Sequence, residues 1–140
     1  MPSAEQSLKT LLTTGSPNPV HAFVGQRVYA LNLPQGVIYP AIRYQRISTA
    51  RSQYRTLDGR AGYASPRMQV DCYAATPMQA LEVAQAVYQL LEGFRGIVSG
   101  LRLDGIATED ERAEFEPAAV IGGANLPKHS LDFFFYHPES

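Results

Sequence analysis

With 140 residues, 45% of them apolar and 18% charged, and a net charge of -1, the chain suits one domain with a real hydrophobic core that needs no metal or disulfide to hold it. The near-neutral balance and a pI near 6.3 weigh against a dedicated nucleic-acid binder, and the single cysteine, Cys72, excludes an internal disulfide framework. No basic segment followed by an apolar one opens the chain, and no apolar run reaches membrane-spanning length, so the expectation is a protein that is cytosolic when made.

Ser3, with Gln6 three residues on, predicts the start of a first helix whose apolar stripe is Leu8, Leu11 and Leu12 and whose stop is Gly15. Pro17 and Pro19 break the chain, His21 to Val24 suits one helical turn, and Arg27 to Tyr29 reads as a short extended piece before the turn Pro34-Gln35-Gly36. From Tyr39 to Ser48, YPAIRYQRIS predicts the first main strand, with Pro40 at its start, where a missing amide is tolerated. Residues 49 to 65 hold no apolar periodicity, and Leu57-Asp58-Gly59 marks a turn, as expected of an excursion between two paired strands.

The clearest segment is 67 to 93. Met68, Val70, Cys72 and Ala74 alternate with Arg67, Gln69, Asp71 and Tyr73, which predicts a strand with one buried face and an inert, buried Cys72 thiol. Thr76 stands at the N-cap, Pro77 at the first helical position and Gln79 at the reciprocal capping position. The helix that follows carries Ala80, Val83, Ala84, Val87, Leu90 and Leu91 on one side and Glu82, Gln85, Gln89 and Glu92 on the other, and Gly93 stops it. Further along, Leu101 and Leu103 suggest a third strand, and Leu131 to His137 suggests a fourth that is apolar on both faces. Such a strand is either central between two layers or covered on one side by another subunit. A strand linked so briefly to an amphipathic helix lays that helix on its own sheet. The expected class is therefore α+β, a two-layer sandwich of a mainly antiparallel sheet of about four strands packed by two helices.

No chemistry of catalysis is legible. His21, His129 and His137 lie in unrelated segments without metal-ligand spacing, and no nucleophile elbow, phosphate-binding glycine loop or dinucleotide fingerprint occurs. The acidic stretch Glu109-Asp110-Glu111 with Glu114 and Glu116 lacks the glycine and ligand spacing of a calcium loop and reads as a solvated loop. Neither a catalytic residue, a cofactor nor a metal is expected. Charge distribution says more: Arg43, Arg46, Arg51, Arg55, Arg60 and Arg67 face only Asp58 within their segment, whereas Asp104 to Glu116 holds six acids against Arg112. Beyond plain solvation, these runs suit either nucleic-acid contact by the arginines, with Tyr54 and Tyr63 interleaved, or pairing of the basic segment with the acidic segment of a neighbour.

The order of Arg27-Val28-Tyr29, Pro34-Gln35-Gly36, YPAIRYQRIS, Leu57-Asp58-Gly59, MQVDCYA, the Thr76-capped helix and Leu131-Asp132-Phe133 resembles the tail-completion, or tail terminator and head-to-tail joining, proteins of long-tailed phages and related particles. Residues 105 to 128 fit that pattern less well. The resemblance implies a single domain over 1–140, without catalysis or cofactor. It implies a structural protein that forms a ring with itself, expected to be hexameric, on the end of the tail tube, stops tube growth and presents the head-joining surface. The implied neighbours are the tail tube protein and a head-completion or connector protein. DNA would pass the lumen without specific binding, no membrane is involved, and the place is the virion tail or neck after assembly in the host cytoplasm. The alternative is a small nucleic-acid-binding module using residues 43–67. A ring needs two different patches that meet, and the opposite charge runs offer them. Because a conduit should not grip DNA, Arg51, Arg55, Arg60 and Arg67 are expected to serve mainly protein contacts, with Glu109, Asp110, Glu111 and Glu114 as the opposing candidates.

Overall fold

The computed structural model describes residues 3–15, 18–51, 63–116 and 126–138. Helix α1 (Ala4–Thr13) begins where Ser3 Oγ accepts the Gln6 amide at 3.2 Å, and its one-turn pair Leu8 and Leu12 is fully buried. Helix α2 (Pro19–Val24) starts two residues earlier than the apolar pattern suggests, because Asn18 caps it. Asn18 Oδ1 accepts the amides of Val20 and His21, while its Nδ2 donates to the carbonyls of Leu11 and Thr14, so one side chain closes α1 and opens α2. Thr76 Oγ1 accepts the Gln79 amide to cap α3 (Pro77–Leu91), and Gly93 follows at φ 77, the left-handed stop expected of it.

The strands are β1 (Val28–Ala30), β2 (Ala41–Arg51), β3 (Tyr63–Tyr73), β4 (Gly96–Val98), β5 (Leu101–Leu103), β6 (Gly105–Glu116) and β7 (Leu126–Pro138). Five of them form one sheet in the order β1-β2-β3-β7-β6, and β4-β5 form a separate hairpin turned by Ser99 and Gly100, both at positive φ. Apart from the parallel β1/β2 pair, all pairings are antiparallel. The class is α+β as expected, but with a mixed five-stranded sheet and three helices among the described residues. Leu101 to Leu103 lies in the small hairpin and not in the main sheet.

β6 replaces the expected acidic loop. Its pattern is hidden because a bulge between Thr108 and Asp110 reverses the alternation, and because an edge strand with little burial carries charged residues without cost. The doubly apolar β7 is central in the strand order, flanked by β3 and β6; its Leu131, Phe133 and Phe135 are buried, whereas Phe134 and Tyr136 on the other face are half-buried. On the helix-covered face, Ile42, Met68, Val70, Cys72, Leu131, Phe133 and Phe135 are at most marginally exposed and pack with Leu8, Leu12, Val83, Val87 and Leu91 in one core. Each such side chain contributes about 1.5–3 kcal/mol.

Candidate assembly surface

Strand alternation puts a second set of side chains on the face opposite the helices. Cross-strand register aligns Arg43 with Asp71, Asp71 with Ser130, and Ser130 with Arg112; Gln69 aligns with Asp132 and Tyr73 with Lys128. The expectation that Asp71 and Tyr73 would sit on an exposed side is corrected: both are fully buried, and Asp132 is 4% exposed. They are buried under neighbouring cations, not under a helix.

Asp71 is the centre of the first cluster. Arg43 donates to its Oδ2 from Nε at 3.0 Å and Nη2 at 2.5 Å, and Gln69 Nε2 at 2.8 Å and Ser130 Oγ at 2.5 Å donate to Oδ1. Burial pushes the Asp71 carboxyl up, but the hydrogen bonds from Ser130, Gln69 and Arg43 and the guanidinium charge outweigh it, leaving the group below its ordinary value. The Arg43 guanidinium also lies 5.6 Å from the Tyr73 ring centroid, and Lys128 Nζ lies 6.0 Å from it.

Asp132 is the centre of the second. Arg67 reaches its Oδ2 with Nη2 at 2.7 Å and Nε at 3.2 Å, and Arg112 Nη1 lies 3.4 Å from Oδ1, an ion pair without hydrogen-bond geometry. Arg112 also contacts Asp110 and Glu114, and Lys128 contacts Glu114. Arg67 further sits 5.8 Å from the Phe134 ring, which pairs with Tyr136 at 6.2 Å.

Three of the six arginines of the basic segment are thus engaged within the chain. Arg43 and Arg67 hold buried aspartates, and Arg46 reaches across to Glu5 of α1 at 2.6 Å. Of the candidate contact residues, Arg51 ends β2, and Arg55 and Arg60 lie outside the described residues. Opposite, Asp110 and Glu114 are tied to Arg112, Glu111 lies 2.7 Å from His129, and Glu109 makes no ion pair among the described residues. All four acids are exposed and share edge strand β6, so the structure brings them together at one side of the sheet, three strands away from β2.

Sequence reasoning missed Asp71, Asp132 and Ser130 as partners of the arginines. Buried polar residues within an apolar strand were the available signal, but without register they cannot be matched to a cation. Among the described residues no group of His, Cys, Asp and Glu could hold a metal ion. Cys72 is buried, and burial followed by the nearby Asp71 and Glu111 charges pushes its thiol strongly up, away from the reactive thiolate. A groove between α1, Tyr44 of β2 and Ser99 of the hairpin is lined by Glu5, Gln6, Lys9 and Thr10 and holds no convergent catalytic set.

A family model described as "Tail completion protein gp17" matches residues 15–126. Among solved structures, a chain of the virion of a native gene transfer agent particle matches at a TM-score of 0.69 and 21% identity, covering 98% of this chain and 96% of that one, which shows a shared fold. No curated protein matches.

Proposed function

Because the chain belongs to the tail completion protein gp17 family, we propose that it is a structural virion protein that forms a ring with itself on the end of the tail tube, ends tube growth and presents the head-joining surface. The ring is hexameric in this reading, its neighbours are the tube protein and a head-completion or connector protein, and DNA passes its lumen without specific binding. The fold shared with a chain from a gene transfer agent virion supports a place in the tail or neck.

The observation that carries the ring reading is the placement of opposite charge at two different sides of one sheet. β2 ends in Arg51 and leads into the segment with Arg55 and Arg60, while exposed Glu109, Asp110, Glu111 and Glu114 lie on β6 at the far edge. Head-to-tail closure needs such unlike patches. With Arg67 held by Asp132, the basic side of the contact falls mainly to Arg51, Arg55 and Arg60. The engagement of Arg43, Arg46 and Arg67 inside the chain also disfavours the nucleic-acid module, which needs its arginines available to phosphates.

Electron microscopy of the purified protein, alone and with tail tubes, tests the reading. Arg51→Glu with Arg55→Glu is expected to reduce ring formation or tube docking. Unchanged assembly with only DNA passage altered would overturn it.

A further inference from the structure

We propose that neighbouring copies join by continuing the β-sheet: the outer edge of β2 beyond Tyr44 in one copy pairs, antiparallel, with the outer edge of β6 beyond Thr108 in the next. The inference rests on the ring reading and specifies its contact.

Both edges can be read from the backbone. The Ile42 amide donates to the Arg27 carbonyl and the Leu31 amide to the Tyr44 carbonyl, so even-numbered residues of β2 point their peptide groups outward up to Arg46. β1 then leaves, with Leu31 at φ 66, and the bulge between Arg46 and Ser48 shifts the parity, so that Thr49 and Arg51 point outward. At the other side, the Gly93 amide donates to the Ile106 carbonyl, and the Thr108 amide donates to Glu92, so the end of α3 seals the start of the outer edge of β6. Beyond the bulge after Thr108, Asp110, Arg112 and Glu114 bond toward β7, and the peptide groups of Glu111, Ala113 and Phe115 face outward. No backbone partner meets either run among the described residues.

The two runs match in several independent ways. Each presents three outward residues, Arg46, Thr49 and Arg51 against Glu111, Ala113 and Phe115. β2 and β6 run in opposite directions in the sheet, since the β2/β3, β3/β7 and β7/β6 pairings are all antiparallel. A copy carried round a rotation axis along the strands therefore offers its β2 antiparallel to the preceding β6, with Thr49 beside Ala113. Charge selects the same pairing: the stretch from Glu109 to Glu116 carries five acids and one arginine, and that from Arg46 to Arg51 carries no acid and two arginines, of which Arg46 is already held by Glu5. Like edges repel and unlike edges attract, so the device that usually blunts an edge strand here forbids only the wrong pairings. A twelve-residue strand is also long for an edge meant to stay unpaired.

The test uses proline, which removes an amide hydrogen without disturbing a strand when that amide faces outward. Ala113→Pro blocks the β6 edge, and Thr49→Pro blocks the β2 edge. Ala113→Ser and Thr49→Val serve as controls that keep the amide; the latter also removes the hydroxyl that accepts from Arg46. In sedimentation and microscopy at concentrations where the unaltered protein forms rings, each proline variant is expected to stay folded and monomeric, and each control to form rings. A 1:1 mixture of the two proline variants retains one good β2 edge and one good β6 edge, and is expected to stop at a dimer. Rings from a folded proline variant would overturn the edge pairing while leaving the ring reading intact. Absence of any assembly by the unaltered protein, alone or on tail tubes, would overturn both. Should a proline variant fail to fold, amide exchange on the unaltered protein decides: slowing at Thr49 and Ala113 by tenfold or more in the ring supports the pairing, and unchanged exchange there overturns it.

Discussion

Replacing Asp71 by asparagine tests whether the polar face of the sheet is held by its ion network. The carboxylate is fully buried and accepts from Arg43, Gln69 and Ser130. Removing one member of a buried pair costs about 3–5 kcal/mol because the other charge stays behind uncompensated. The Arg43 side chain retains 19% exposure, so water offsets part of that loss, and the expected cost is about 3 kcal/mol. For a chain of this length each kcal/mol lowers Tm by about 3–4 °C, so the variant should melt about 10 °C lower. Differential scanning calorimetry near neutral pH measures this. Arg43→Gln and the double variant complete a cycle whose coupling should be about 2 kcal/mol.

The sign of the pH dependence follows from the lowered carboxyl of Asp71. Its folded value lies below the unfolded one, near 3.9, so the stabilisation is fully present above about pH 5 and is lost as pH falls through the folded value. The difference between the parent and Asp71→Asn should therefore shrink in acid. A Tm change under 3 °C, or a difference that persists unchanged at pH 2, would refute the reasoning.

Thr76→Ala removes the acceptor for the Gln79 amide and should cost about 1 kcal/mol, seen in urea unfolding as a lower midpoint with the same slope; an unchanged midpoint would show that the cap carries no weight. Phe133→Ala empties the middle of the core under β7 and should cost about 3–5 kcal/mol, measurable in the same way, with under 1.5 kcal/mol contradicting its central place. The Cys72 thiol should ignore a thiol reagent in the folded protein at pH 8 and react fully in denaturant; rapid reaction in the native state would contradict its burial.

What was legible in the sequence was whatever depends on neighbours a few residues apart. The Ser3 and Thr76 caps, the apolar stripe of α3 and the buried face of Met68, Val70, Cys72 and Ala74 are local rules, and they appear where expected, whereas the burial of Asp71 and Tyr73 on the other face does not follow from them. β6 failed the same rule because its bulge breaks the period and because its partners, residues 126 to 136 of β7, supply the reason for its extended form. The short extended piece expected at Arg27 to Tyr29 appears as β1, but its pairing with β2 through the Arg27 carbonyl and the Leu31 amide is a fact of register and not of propensity. The arginines were visible at once, but their carboxylate partners lie 28 residues away for Arg43 and 65 for Arg67, distances over which no periodicity speaks.

That hidden pairing changes what the basic segment can do. On the face opposite the helices Arg43, Arg67, Arg112 and Lys128 stand against Asp71, Asp110, Glu114 and Asp132, four cations and four anions in contact. A run of arginines in the sequence suggests a field able to hold a polyanion; paired this way, the described part of the face presents almost none beyond a Debye length, about 8 Å at physiological salt. Weak attraction would suit the DNA passage of the proposed ring, since each phosphate neutralised would add to the affinity and slow the passage. In the proposed ring, the network that fixes the strands against one another would therefore also give DNA little to hold, and the contact between copies would fall to the two sheet edges.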